Sequence, residues 1–349
     1  MRVAVAGGGW YGSHIASSLL AHGVEVDLFE KNDRLFTEAS GNNQFRLHQG
    51  LHYARSALTR HQSRDGYHRF VERYPKLSRA VPQNIYLVPR DTSLIDFDTY
   101  FSIMLSSGIA VEKVPLGSLA HLDSARFEGA LRCDERVVLT SQAREHFMRR
   151  LGDAVHLGQP VQQAIAGDDW VRVNGQRYDH FIDATWGALE EPRFQGTSVF
   201  YEPTLLLYYR YRGDPVADAF PAITLVDGAL WSIYPTEDAH IYTLSSVTHT
   251  PLGQCTTKAA AYAMLSEVDE AQVRAKRQLM EQQVRPFLPA FNDLFEFAGP
   301  QFAIKTKPTG LADNRACGVE FQGRQVRVLS GKIDTIFFAT DRVLGTLLP

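Results

Sequence analysis

An apolar run, Val3-Ala4-Val5-Ala6, is broken at once by Gly7-x-Gly9-x-x-Gly12, after which Ile15, Ala16, Leu19 and Leu20 recur at helical spacing. In such a turn the first glycine allows the tight bend and the second lets a pyrophosphate approach the backbone. The third lets the helix pack closely on the strand. The start of the helix then offers unpaired N–H groups to phosphate. A second strand, Val24-Glu25-Val26-Asp27-Leu28-Phe29, ends at Glu30. A carboxylate there, about twenty residues past the glycines, can accept hydrogen bonds from both ribose hydroxyls. Strand, glycines, helix, strand and acid in this order predict a dinucleotide site built on Gly7, Gly9, Gly12 and Glu30. Glu30 would repel a 2′-phosphate, which argues against NADP and leaves NAD and FAD.

A chain of 349 residues is long for one core and suits two lobes, or one large α/β unit with an inserted sheet. Its formal net charge of −3 gives no electrostatic footprint for nucleic acid or an anionic membrane. No apolar run approaches the ~20 residues that span a bilayer. Cys133, Cys255 and Cys317 are scattered, with no CxxC pair, so neither a disulfide framework nor a metal site is expected. The first residues lead straight into a strand rather than a secretory segment, and a cytoplasmic location is the expectation.

Residues 39–53 are dense in hydrogen-bonding groups and follow neither period, which beside a nucleotide site predicts ligand contacts. A helix is predicted near 58–74, its Tyr67, Phe70, Val71 and Tyr74 facing a core. Asp96 should cap a helix that stops at Ser107-Gly108, and Thr140 should open one that ends at Gly152. Asn174-Gly175 predicts a hairpin. It delivers the chain to Phe181-Ile182-Asp183-Ala184-Thr185-Trp186-Gly187, a buried strand meeting small residues. Alternation over 205–212, 223–226, 230–234 and 241–249 predicts an antiparallel sheet, followed by one long helix over 257–284. After Val326-Arg327-Val328-Leu329 the chain passes through Ser330-Gly331-Lys332-Ile333-Asp334-Thr335 into a last helix. This second strand–glycine–helix junction implies a return to the nucleotide lobe.

Taken together, these positions resemble the FAD-dependent D-amino-acid oxidase superfamily, and within it the glycine oxidase and sarcosine oxidase-like members. The resemblance covers most of the chain. It implies FAD as cofactor, and an α/β fold in which a Rossmann-type FAD-binding lobe is interleaved with an α+β substrate lobe carrying the antiparallel sheet. The expected division is 1–55, 136–198 and 305–349 for the FAD-binding lobe, and 56–135 and 199–304 for the substrate lobe. Beyond the glycines and Glu30, the resemblance implies cofactor contacts at Lys31, Ser40, Asn43, Val161, Thr185 and Gly187. It implies a terminal set at Gly331, Lys332, Ile333, Asp334 and Thr335.

The implied activity is oxidation of an amino acid or secondary amine bearing a carboxylate, an N-substituted glycine for example, by hydride transfer to the flavin. Electrons would pass on to oxygen or another acceptor. Where relatives carry Arg-Pro near the substrate carboxylate, this chain has Lys305-Thr306-Lys307-Pro308, with Arg315 shortly after. A lysine is a point charge and cannot grip a carboxylate as a planar fork does. Lys307 and Arg315 are therefore both candidates. The segment Arg46-Leu47-His48-Gln49-Gly50-Leu51-His52-Tyr53 resembles the His-x-Gly stretch of relatives that oxidise 2-hydroxy acids. A hydroxy acid needs a base for its hydroxyl proton, which makes His48 a candidate with His52 and Tyr53 beside it. Amine and alcohol stay open, as does a non-catalytic flavoprotein. Tyr209, Tyr211, Tyr234 and Tyr242 could line a pocket, though packing is the simpler role for most of them.

Overall fold

The strand Arg2–Ala6 lies between two parallel neighbours, Glu25–Phe29 and His180–Asp183. Gln325–Leu329 adds in parallel beside His180–Asp183, and Val155–His156 adds beside Glu25–Phe29. Gly318–Gln322 turns back antiparallel and closes one edge of this six-stranded sheet. The structure is a computed structural model and describes residues 1–189, 193–194, 196–228, 230–310, 315–329 and 331–348. Ser330, in the last strand–helix junction, lies outside them.

The helices are α1 (Trp10–Ala21), α2 (Ala57–Arg73), α3 (Phe97–Ser106), α4 (Thr140–Leu151), α5 (Lys258–Ser266), α6 (Glu270–Val284), α7 (Phe291–Leu294) and α8 (Ile336–Leu347). One face of the parallel sheet is covered by Ile15 and Leu19 of α1, Phe70 of α2, Phe147 of α4 and Val343 of α8. Val161, Val171 and Tyr178 cover the other, against Ala4, Ala6 and Phe29. Because both faces are buried, Val3, Ala4 and Val5 form an unbroken apolar run rather than an alternating one.

A nine-stranded sheet forms the second layer. Its long pair is Thr197–Tyr211 with Phe295–Pro308, followed by Ile241–Ser246, Trp231–Pro235, Ala222–Leu225 and Asn84–Pro89. Its apolar face packs on α6, α7 and the following turn through Leu205, Leu207, Met280, Val284 and Phe291.

Several expectations change here. The sheet is mixed, because Ala222–Leu225 runs parallel to Asn84–Pro89. The helix expected over 257–284 is two helices, since Asp269 caps α6 in a capping box with Gln272. Helix α2, expected with the substrate lobe, instead packs Tyr67 and Phe70 into the core of the parallel sheet. Residues 305–308, expected with the FAD-binding lobe, continue a strand of the nine-stranded sheet. The alternation that marks a strand carries no information about which sheet completes it.

Candidate active site and dinucleotide crevice

Gly7 adopts φ +101°, and a Cβ on it would lie 2.8 Å from Ala184 O. A Cβ on Gly12 would lie 1.9 Å from Gly7 O, so the helix can meet the turn only without a side chain there. The turn is held by Gly7 N donating to Phe29 O (2.8 Å) and Gly8 N donating to Glu30 Oε2 (2.7 Å). Asn32 N donates to Glu30 Oε1 (2.9 Å). Each carboxylate oxygen has more than one acceptor site, so the buried Glu30 can hold the turn and still accept from a ribose. No side chain caps α1 at Gly9; Ser40 Oγ accepts from Trp10 N at 3.2 Å instead.

Around this turn the other predicted contacts fall into two groups. Gly9, Ser40, Asn43, His48, Tyr53, Lys307, Arg315, Gly331, Lys332 and Ile333 all line one cavity of about 790 Å³. Gly7, Gly12, Glu30, Lys31, Val161, Thr185, Gly187, Asp334 and Thr335 stand behind or beside it. Asn43 Nδ2 ties its own loop by donating to Ala39 O (2.9 Å). Lys31 turns its ammonium to Glu38 (2.7 Å) and the Tyr262 hydroxyl (2.7 Å). Val161 packs with Ala6 and Phe29. Thr185 donates its hydroxyl to Asp183 Oδ1 (2.6 Å). Trp186 and Gly187 follow in left-handed conformation, at φ 57° and 78°. Tyr11 and Thr335 share a hydrogen bond of 2.6 Å, which fastens α1 to the terminal segment.

Among the described residues lining the cavity are six cationic side chains and two carboxylates. Arg55 pairs with Asp227 and Lys307 pairs with Glu202. Glu202 stands directly across the ladder from Lys305, yet its bond is to Lys307. Burial and the neighbouring Lys307 push the Lys305 ammonium down to about 8. Six cations against two carboxylates give the described lining an excess of positive side chains suited to an anion.

His48 is buried, with Asp334 Oδ2 3.2 Å from its Nδ1 and Lys332 Nζ 3.3 Å from its Nε2. The Gly50 N–H also approaches Nδ1, at 3.1 Å. The Gly50 N–H donates to Nδ1 and an ammonium has only donors, so both ring nitrogens face a donor and these contacts leave the tautomer unassigned. Burial, with Lys332 and Arg46 nearby, holds His48 well below the usual imidazole range and therefore neutral. Burial also lifts the Asp334 carboxyl to about 6, with Lys332 opposing that rise. Neither Asp334 oxygen has a well-aligned hydrogen bond. Helix α2 presses on this segment at Gly66, where a Cβ would come 1.7 Å from Asp334 O.

His52 is held differently. Its Nε2 lies 2.7 Å from Arg46 Nη1 and its Nδ1 3.1 Å from the Tyr86 hydroxyl, which donates to Glu135 Oε1 at 2.6 Å. Both of its ring nitrogens are engaged in this network. Arg46 also donates to Thr224 (2.8 Å) and Ser232 (2.9 Å) and lies over the Tyr234 ring at 3.9 Å. The sequence reading did not single out Arg46, Glu135, Glu202 or Lys258. Glu202 left one signal, a lone charge inside an apolar strand; Arg46 and Lys258 left none. The hydroxyls of Tyr209, Tyr211, Tyr234 and Tyr242 bond Glu281, Asp218 O, Arg136 O and Phe220 O, and none of the four lines the cavity.

The family model for FAD dependent oxidoreductases (DAO) matches residues 2–310. The FAD-dependent monooxygenase FPY4 of Fusarium mangiferae is 52% identical over 344 residues, spanning 98% of this chain and 90% of FPY4. The L-alpha-glycerophosphate oxidase of Mycoplasma pneumoniae, solved with FAD bound, superposes with a TM-score of 0.76 at 12% identity, covering 99% of this chain and 94% of that one. Glycine oxidase from Geobacillus kaustophilus gives 0.71 at 15% identity, covering 99% and 94%. At these identities the two structures speak to the fold.

Proposed function

The chain belongs to the family of FAD dependent oxidoreductases, and from that premise we propose that it dehydrogenates a small anionic substrate at a carbon bearing a hydroxyl. FAD is its cofactor and, when bound, accepts the hydride and so supplies the redox chemistry. The residues present fit that group: a glycine turn in which Cβ atoms would clash, a helix that starts from a glycine, and a buried carboxylate bound to the turn. In this reading Gly7, Gly9, Gly12, Glu30, Ser40, Asn43, Val161, Thr185 and Gly187 hold the dinucleotide. The terminal run from Gly331 to Thr335 closes its other end. The nine-stranded sheet carries the substrate.

The observation that carries the alcohol reading is His48. A neutral imidazole lines the cavity, with a buried carboxyl 3.2 Å from its Nδ1 and the Lys332 ammonium 3.3 Å from its Nε2. That arrangement suits a base taking a hydroxyl proton while Asp334 orients the ring and stabilises the imidazolium. Catalytic hydrogen bonds are often loose without substrate, which accounts for the imperfect alignment at Asp334. Lys305, with Lys307 and Arg315 beside it, would hold the anionic group.

A second reading, oxidation of a carboxylate-bearing amine, is favoured by the cation excess. A positive field disfavours an ammonium and so keeps an amine in the neutral form that can release a hydride. Anaerobic bleaching of the flavin by sets with one acid skeleton, glycolate with glycine and N-methylglycine, and lactate with alanine, tests the choice. Bleaching by hydroxy acids alone supports the first reading, and bleaching by amines alone replaces it with the second. Incorporation of labelled oxygen from O₂ into the product, in keeping with the name of FPY4, would overturn both.

A further inference from the structure

Three consecutive carbonyls after the strand His180–Asp183 are each held by a side chain from the other layer of the molecule. Lys258 Nζ donates to Thr185 O (3.1 Å), Thr306 Oγ1 to Trp186 O (2.6 Å) and Tyr201 Oη to Gly187 O (2.6 Å). Tyr201 and Thr306 are direct partners in the long strand pair. One turn further along α5, the Tyr262 hydroxyl donates to Glu38 Oε2 (2.6 Å) and accepts from Lys31 Nζ (2.7 Å). Helix α5 therefore grips two loops at once, those that follow the strands on either side of Arg2–Ala6. In an open parallel sheet, such loops at the C-terminal strand ends bound the crevice in which a dinucleotide lies.

The latch accounts for Tyr201, Thr306 and Tyr262, all of which have complete hydrogen bonds, but it leaves Lys258 underused. An ammonium carries three donors, and among the described residues only the Thr185 carbonyl receives one. Burial pushes Lys258 down to about 8, and the nearest charges acting on it are Glu38, Lys31, Asp183 and Glu30. None of these carboxylates reaches it as an ion pair. Lys258 is half-buried, where a charge gains from a partner, and the Thr185 that it holds adjoins the Gly7 turn on which the dinucleotide rests.

We propose that Lys258 is a ligand of the FAD phosphates and that α5 is a strap holding the cofactor in its crevice. The phosphates supply the direct anionic partner that Glu38, Asp183 and Glu30, though near, do not. The contact joins the layer that binds substrate to the layer that binds cofactor through one side chain. It makes α5, which contributes nothing to the parallel sheet, a determinant of how long FAD stays bound.

Release of FAD from the holoprotein, followed by the rise of flavin fluorescence on dilution, tests this without any substrate. Lys258→Met should release FAD roughly tenfold faster, the order expected for loss of a charge-assisted hydrogen bond. Lys258→Arg should restore slow release. Added KCl should speed release less from Lys258→Met than from the unaltered protein, because one phosphate contact is already gone. Tyr262→Phe, which keeps the ring and its packing, should also hasten release by untying the strap. That variant keeps the test alive if Lys258→Met does not fold. Release from Lys258→Met at the unaltered rate and salt dependence would overturn the phosphate contact. Release from Tyr262→Phe at the unaltered rate would overturn the strap.

Discussion

His48 Nδ1 lies 3.2 Å from Asp334 Oδ2, and both side chains are buried. His48 comes from the polar segment that follows the second strand, and Asp334 from the turn that leads into α8. Lys332, two residues before Asp334, occupies the other ring nitrogen at 3.3 Å. One short terminal turn thus sets a carboxyl beside one ring nitrogen and an ammonium beside the other.

Asp334→Asn should slow anaerobic flavin reduction by a hydroxyl substrate by about 10²-fold or more, and His48→Gln by at least as much. In the unaltered protein, reduction should rise with pH through the region near 6, where Asp334 becomes ionised and can accept from His48. Asp334→Asn should lose that rise. If the rise persists in Asp334→Asn, another group sets it and the dyad is not the base.

Lys305 and Lys307 should separate cleanly. Lys307 is committed to Glu202, whereas the Lys305 ammonium makes no hydrogen bond among the described residues. Lys305→Met should weaken binding of an anionic inhibitor by roughly tenfold, the scale of one charged hydrogen bond. Lys307→Met should instead lower stability by about 2 kcal/mol, because it leaves Glu202 buried without its partner. Adding Glu202→Gln should recover most of that loss. Denaturant melts and inhibitor titrations of the three variants decide the assignment.

Burial raises the Glu135 carboxyl to about 7, with Arg46 and Tyr86 pulling it back down. The folded state then holds this proton more tightly than the unfolded chain. The contribution is present in full below the ordinary glutamate value and is lost as pH rises through about 7. The stability of Glu135→Gln relative to the unaltered protein should therefore climb between about pH 4.5 and 7 and then level off. Arg46→Met should cost about 3 kcal/mol where Glu135 is charged. A flat difference across that range would show that Glu135 does not titrate in it.

Gly66→Ala places a Cβ 1.7 Å from Asp334 O, against backbone that cannot swing aside. A loss of about 2 kcal/mol or more is expected from overpacking at this contact. The displaced turn carries Lys332 and Asp334, so the variant should also shift the pH dependence of flavin reduction. A thermal melt and the pH profile of one purified variant check both effects. A variant with unaltered stability would mean that α2 can move away from the turn at no cost.

The dinucleotide turn was legible in the sequence because every constraint on it is local. A strand, three glycines at fixed spacing and an acid at the end of the next strand lie within thirty residues, and each answers a backbone requirement rather than a distant partner. The terminal run from Gly331 to Thr335 and the polar stretch from Ser40 to Tyr53 were legible for the same reason. What each residue does there was not. The surroundings of each histidine come from distant residues: Arg46, Tyr86 and Glu135 enclose His52, while Lys332 and Asp334 flank His48. Which lysine keeps its charge for a ligand depends on whether Glu202, on the neighbouring strand, bonds to Lys305 or Lys307. Lys258 reaches Thr185 only because α5 folds across the strand ends. Backbone turns are written in short-range spacing, but charge pairing is set by groups far apart in the chain, and only the packed layers bring those groups together.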